Sequence, residues 1–589
     1  MTRIHHMPFG AEPVGHASQP AMAAAEGVRF RLWAPECDRI AVELDEARTV
    51  PMTALADGWH ELVTNHARAG SRYRFVLPDG ARVPDPASRF QPDDVHGPSE
   101  VTDPARWRWI DEDWKGRPWD EAVVYELHIG AFTPEGTFAA AAGRLDHLAR
   151  LGVTAIQIMP VADFPGKRNW GYDGVLPYAP DTSYGRPESL KALVQAAHGR
   201  GLMVLLDVVY NHYGPDGNYL SLYAPAFFTE RHKTPWGPAI NYDGPASRPV
   251  REFVIHNALY WIEEFHLDGL RLDAVHAIAD DSPVPIAQEL AERVRGAVRG
   301  CQVHLILENE KNQAKYLARD ASGRPRWFTA QWNDDVHHVL HTAATGESQG
   351  YYAGLCGDTR KLGGALAKGF VRHRGEPGGH LPPDAFIAFI QNHDQIGNRA
   401  QGERLGHIAS REALRAVAAT SLLLPQIPMI FMGEEWSAAQ PFLFFCDFGA
   451  DLAEAVRKGR REEFSQTQCV PDPQACETFA ASKLRWDDLA RPEHAEWFQW
   501  YRRILRVRRK SIVPLLPGIA GNAGRFDIVG DGAVVVHWRV GTGEGLTLAA
   551  NLSDAPVTGF PAAAGRILWR EGDVGDDGGF GPWAVRWSL

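Results

Sequence analysis

Carboxylates recur where apolar runs stop. Asp207 follows LMVLL, Asp273 follows GLRL, Glu308 follows LIL, and Asp334, Asp394 and the pair Glu434/Glu435 close three further runs. Acids gathered at one rim repel one another and are costly to desolvate unless a cation or a reaction requires them. Capping of helix N-termini is the plain alternative. It suits Asp334, competes evenly at Asp207 and fits Asp273 poorly, because Asp273 continues an apolar strand beside an arginine. Arg271 and Asp273 are two apart, so on a strand they share a face. A guanidinium that close lowers a carboxyl pKa and keeps it ionised, as a nucleophile needs. Glu308, at the end of the apolar LIL, sits in drier surroundings that raise its pKa. One acid held charged beside another held protonated is the pairing glycoside hydrolysis uses. Asn392, His393 and Asp394 add hydrogen-bonding groups at a further strand end. Spacing alone leaves two readings open, a glycosidase and a metal-dependent barrel hydrolase.

These residues need a scaffold that brings strand ends together. Near-continuous apolar runs at 123–132, 154–161, 202–212, 269–276, 303–310, 326–334, 386–394 and 428–436 read as parallel strands buried on both faces. Between them lie helical spacings: Phe138, Ala141, Leu145 and Leu148 closed by Gly152, then Leu190, Leu193, Val194 and Ala197 opened by Pro187 and closed by Gly201. Eight strands, each with room for a helix, predict an α/β fold, a (β/α)8 TIM barrel, whose site lies at the C-terminal strand ends. Insertions are expected at 162–186, 213–250 and 437–492. Ahead of the barrel, VRFRLWAP, RIAVEL, GWHELV and SRYRFVL predict an N-terminal β-sandwich over 1–105, with 79–104 as a linker folded over the next domain. The catalytic barrel spans 106–508. A small C-terminal β domain, 509–589, is marked by AVVVHWRV and GLTLAANLS.

Composition narrows the partners. The 589 residues carry 61 Lys and Arg against 73 Asp and Glu, a net charge of −12, which argues against nucleic acid or an anionic membrane as partner. The most apolar stretch, 421–432, is interrupted by Pro425 and Pro428 and is too short to span a bilayer. MTRIHHMPFG lacks the apolar segment of a signal peptide. The six cysteines show no CxxC spacing, so no disulfide framework or zinc ribbon is expected and a reducing cytoplasm fits. Nineteen tryptophans fill cores by default, yet flat rings are also what a sugar cleft uses.

DVVYNH (207–212), GLRLDAVH (269–276), Glu308 in LILENE and QNHD (391–394) resemble, in order, the four short conserved regions of the alpha-amylase family of glycoside hydrolases. The resemblance implies Asp273 as nucleophile, Glu308 as general acid and then base, and Asp394 as the group holding sugar hydroxyls at the oxocarbenium-like transition state. Arg271 would orient Asp273, with Asp207 behind it. His212 and His393 would bond the sugar being cleaved, Tyr172 would stack on it, and Asp173, Trp236 and His276 would line the substrate. His276 departs from the Lys-His pair of many amylases. Asn211 occupies a calcium position in many relatives, but no cluster of oxygen ligands accompanies it; no metal and no cofactor are expected. Segments 125–138, 168–185, 234–244, 392–405, 432–436 and 441–448 resemble the branch of the family acting on maltooligosyl trehalose, implying that substrate and related α-1,4-glucans as partners. A glucan branching enzyme and a non-catalytic glucan-binding protein are the alternatives.

Overall fold

The computed structural model describes residues 5–14, 27–371, 378–464, 469–541, 543 and 545–589; the first four residues of the N-terminal stretch read above lie outside them. Two antiparallel sheets come first. In one, Gly27–Trp33 is flanked by Gly10–Val14 and Trp59–Thr64; in the other, Ala41–Leu44 lies between Arg48–Pro51 and Arg72–Val76. Val28, Phe30 and Leu32 are buried while Arg29 and Arg31 are half-buried, the alternation that one covered sheet face imposes. The stretch read as a linker belongs partly to this second sheet, since Arg82–Val83 and Ser99–Glu100 both pair with Arg72–Val76. It also reaches the barrel: Asp94 accepts from the Gly166 amide at 2.9 Å.

Eight parallel strands then close into a barrel: β1 (Val124–Leu127), β2 (Ala155–Ile158), β3 (Met203–Val208), β4 (Gly269–Leu272), β5 (His304–Leu307), β6 (Ala330–Trp332), β7 (Phe386–Ala388) and β8 (Ile427–Phe431). Every residue of all eight is buried, which is why the runs are mostly apolar rather than alternating. The first helical spacing is split into Phe138–Ala142 and Leu145–Leu151 around Gly143. Its apolar face survives the break, and Gly152 turns the chain at φ 107°. The next helix, Pro187–His198, ends at Gly199, two residues before the expected stop. Asn333 caps the helix that Asp334 begins, so the capping role falls one residue earlier than expected.

The three insertions are present. After β2 comes a hairpin of Ala162–Asp163 with Leu176–Pro180; after β3, one of Phe228–Thr234 with Gly237–Ile240. After β8 come helices Ala450–Glu463 and Cys476–Ser482. The chain ends in a five-stranded antiparallel sheet seated on the barrel helix Arg411–Leu423. Trp587 Nε1 donates to Ala419 O at 3.1 Å, and Arg415 pairs with Glu571 at 2.7 Å.

At the opposite, N-terminal face of the barrel, Asp111 lies 2.7 Å from His198 Nδ1 and 3.1 Å from His266 Nδ1. Asp268 takes His198 Nε2 at 3.0 Å and Trp114 Nε1 at 2.7 Å. Trp109 and Trp114 stack on the two imidazoles. Among the described residues no helix is long and apolar enough to cross a membrane.

Candidate active site

Strand register builds the site. Asp207 on β3 pairs directly with Arg271 on β4, and Leu272 pairs with Leu307 on β5. The ladder continues one residue past the strands: Asp273 N donates to Val208 O at 3.0 Å and Glu308 N to Leu272 O at 3.1 Å. Asp273 and Glu308 are therefore neighbours on adjacent strands, whose spacing is about 4.8 Å. Arg271 joins the three acids. Its Nη1 donates to Asp207 Oδ2 at 2.6 Å and Asp273 Oδ1 at 2.9 Å, and its Nη2 to Glu308 Oε2 at 2.7 Å. The guanidinium is fully buried and lies 4.0 Å over the Trp332 ring, so its geometry is fixed from below as well.

The same cation affects the acids differently. Burial alone would raise the Asp273 pKa, but Arg271 and the Asn211 hydrogen bond outweigh it and the carboxyl titrates below its ordinary range. At Glu308 burial wins over Arg271, and the nearby charges of Asp273 and Asp394 push the same way, so its pKa stands well above the usual value. Asp207, with no exposed surface, is pushed up to about 7 by burial despite Arg271. One carboxyl is thus shifted down and its neighbour up, the direction that a pair of one ionised and one protonated acid requires. A turn at Ala274, with φ 39°, aims its N–H at Glu308 Oε2, 2.9 Å away. Left-handed backbone at a non-glycine residue is uncommon, and here it supplies the acid with a second donor.

Around the acids, Asn211 Nδ2 donates to Asp273 Oδ2 at 2.8 Å and to its carbonyl at 3.0 Å, so the residue noted as a calcium position serves the acid. His212 is held by Asn211 and, at 2.9 Å, by the Tyr172 carbonyl, and burial lowers its pKa. Tyr172 reaches the site because Gly171, at φ 105°, packs where a Cβ would fall 2.1 Å from Pro160 O. Its hydroxyl donates to Asp207 Oδ2 at 2.8 Å and lies 2.8 Å from His393 Nε2. Asp394 follows His393 in the short helix His393–Gly397, its Oδ1 3.5 Å from His393 Nε2. Trp236, at the tip of the hairpin after β3, stacks on His212 at 4.4 Å and stays 50% exposed. The hairpin is anchored by Asp243, which takes His232 and Arg231 from one strand and the Asp281 amide from the loop after β4.

Other expected residues lie further out. Asp173 is occupied by Asn169 at 2.7 Å, below the rim. His276 Nδ1 accepts from the Glu310 amide at 3.3 Å and is not bonded to the acids. Glu310 itself points to solvent. Glu434 and Glu435 are buried structural groups, bonded to Tyr501 and Gln391 and to Tyr125 and His147 respectively. Trp170, Trp436 and Phe442 fill the core. One residue escaped the sequence reading. Glu126, in the middle of the apolar run of β1, accepts from His393 Nδ1 at 2.8 Å and His393 N at 3.0 Å. A charged residue inside a strand buried on both faces was the available signal.

An eight-stranded parallel barrel with guanidinium-linked acids at its C-terminal rim is the architecture of an alpha-amylase family glycoside hydrolase. Residues 97–224 match the family model described as alpha amylase, catalytic domain, and residues 521–587 match a domain of unknown function, DUF3459. The malto-oligosyltrehalose trehalohydrolase of Deinococcus radiodurans is 44% identical over 83% of this chain and 82% of its own length. That of Saccharolobus solfataricus is 42% identical over 87% and 91%. A solved structure from Salmonella typhimurium, described as a "putative alpha amylase", superposes with a TM-score of 0.93 at 45% identity, covering 99% of each chain. The chain belongs to the malto-oligosyltrehalose trehalohydrolase family.

Proposed function

We propose that this protein hydrolyses the α-1,4 bond next to the terminal trehalose unit of maltooligosyl trehalose, releasing trehalose with retention at the anomeric carbon. The observation behind this is one guanidinium, Arg271, holding Asp207, Asp273 and Glu308 at once. An Asp273 oxygen attacks the anomeric carbon as the bond to the trehalose oxygen breaks, and Glu308 gives its proton to that oxygen. Water then attacks the glycosyl-enzyme, Glu308 takes a proton back, and Asp273 leaves as carboxylate. The hydrogen bonds from Arg271 and Ala274 both fall on Glu308 Oε2, so Oε1 carries the proton. Asp394 holds sugar hydroxyls, His393 donates to the cleaved glucose, and Tyr172 covers its apolar face; His212, whose two ring nitrogens are taken by Asn211 and the Tyr172 carbonyl, lines the site beside it. Trp236 and the hairpin beneath it face the leaving trehalose; Asp173 and His276 shape the flanks. The chain acts in the cytoplasm, in keeping with cysteines that show no CxxC spacing or disulfide framework in sequence.

The test is the product set from maltooligosyl trehalose beside that from plain malto-oligosaccharide. Trehalose as the main product, with slow attack on the plain chain, is expected. Branched glucan without free trehalose would instead mark a transferase.

A further inference from the structure

Glu126 and His393 come from β1 and from the loop after β7, with β8 between them. Glu126 has no exposed surface and His393 has 1%. A buried carboxylate is costly unless its oxygens are satisfied, and here both are taken by one residue: Oε1 by the ring Nδ1 and Oε2 by the backbone N–H. An ionised carboxylate only accepts, so Nδ1 carries a hydrogen. The other ring nitrogen, Nε2, lies 2.8 Å from Tyr172 Oη and 3.5 Å from Asp394 Oδ1. Tyr172 has one proton and faces the Asp207 carboxylate at 2.8 Å. Spending that proton on Asp207 leaves Tyr172 Oη an acceptor, which calls for a hydrogen on Nε2 too. With Asp207 ionised under its two donors, Arg271 and Tyr172, the chain Glu126–His393–Tyr172–Asp207–Arg271 closes when both ring nitrogens of His393 carry hydrogen.

We propose that Glu126 is a positioning residue for the hydrolysis, keeping His393 as an imidazolium whose Nε2–H fixes Tyr172 and meets the sugar at the cleavage point. The inference rests on the function proposed above and deepens it. Glu126 touches no substrate; it acts through His393. Burial opposes the imidazolium, as do Arg271 and His128; Asp394, Glu126, Asp207 and Asp273 favour it. A neutral His393 would either place a bare nitrogen against Glu126 or draw the Tyr172 proton onto Nε2 and away from Asp207, loosening the ring that stacks on Tyr172 at 5.2 Å.

The test uses the full chain and the near-isosteric Glu126→Gln, whose amide cannot accept from both N–H groups. Three readouts are taken: the pH dependence of kcat and KM, the 15N shifts of the His393 ring, and a cycle with Tyr172→Phe. Expected are a roughly 10- to 100-fold fall in kcat/KM, carried mainly by kcat, loss of the doubly protonated ring signature at neutral pH, and a double variant little worse than the poorer single one. Rates within threefold of wild type with an unchanged ring signature, or fully multiplicative losses, would overturn it. Should the Gln variant not fold, Glu126→Asp keeps the charge and must keep the imidazolium signature; a neutral ring there would equally overturn the proposal. The ring shifts are read without turnover, so a wild type inactive on maltooligosyl trehalose would remove the proposed substrate while leaving the role of Glu126 separately decided.

Discussion

Asp273 and Glu308 leave adjacent, in-register strands and share the two terminal nitrogens of Arg271, yet the cation leaves one ionised and the other protonated. The difference lies in what else each acid meets. Asp273 gains the Asn211 amide, whereas at Glu308 burial, reinforced by the charges of Asp273 and Asp394, outweighs Arg271.

The first consequence is a bell-shaped pH dependence of kcat/KM. Activity requires Asp273 ionised, so the acidic limb falls below the ordinary carboxylate range, where its lowered pKa lies. It requires Glu308 protonated, so the basic limb lies well above that range. Glu308→Gln should abolish the basic limb and slow cleavage of the natural substrate by about 10³-fold or more. An α-glycosyl fluoride, whose leaving group needs no proton, should lose far less; equal losses on both substrates would place the acid elsewhere.

Replacing Asp273 by Asn removes the nucleophile while keeping size and most hydrogen bonding. The expected result is a thermal midpoint close to wild type and kcat lowered by about 10⁴-fold or more, measured with purified protein free of wild type.

Arg271→Lys keeps a positive charge but cannot reach three carboxylates in one plane. Both acids should then titrate higher, since less positive charge stabilises each ionised form, and the acidic limb of the profile should move to higher pH. Stability should fall by about 3–5 kcal/mol, the scale of breaking a buried ion network, as read by denaturant unfolding.

Trp236 presents one face to His212 and the other to solvent. Trp236→Ala should leave folding unchanged and raise KM for maltooligosyl trehalose by about tenfold, the scale of one lost apolar face. A matching rise for plain malto-oligosaccharide would show that the ring does not select the trehalose end.

Far from the chemistry, the bond network at the other barrel face should set how stability varies with pH. Burial works to lower the His198 pKa, but Asp111 and Asp268 raise it overall. Such a histidine contributes stability that is complete below its unfolded value of about 6.5 and is lost as pH rises through the folded value. Asp111, lowered by His198 and His266 against burial, contributes fully above about 3.9 and loses its part as pH falls through its lower folded value. The network is therefore strongest between about pH 4 and 6.5. In a series of melting curves, His198→Gln should flatten the decline of Tm above that window.

The barrel strands and the central acids were legible because each depends on neighbours close in sequence. A run such as LMVLLDV reports burial on both faces, and Arg271 and Asp273 share a face by spacing alone. What surrounds them was not legible for a physical reason. Tyr172 meets Asp207 and His393 across loops 35 and 221 residues apart in the chain, and Glu126 meets His393 across 267. Nothing local marks such partners, and Glu126 reads only as a charge out of place in an apolar strand. The same limit applies to rings: Trp170 and Trp436 look like Trp236 in sequence, and only packing separates the two buried ones from the exposed platform.

The central claim is that Asp273 bonds covalently to the sugar while Glu308 serves the leaving oxygen. It is tested most directly by treating the Glu308→Gln variant with a 5-fluoro α-glycosyl fluoride and locating the added mass by peptide mass spectrometry. A single glycosyl group on the peptide containing Asp273 is the predicted result. Label on another carboxylate, or full turnover with no trapped species, would contradict it.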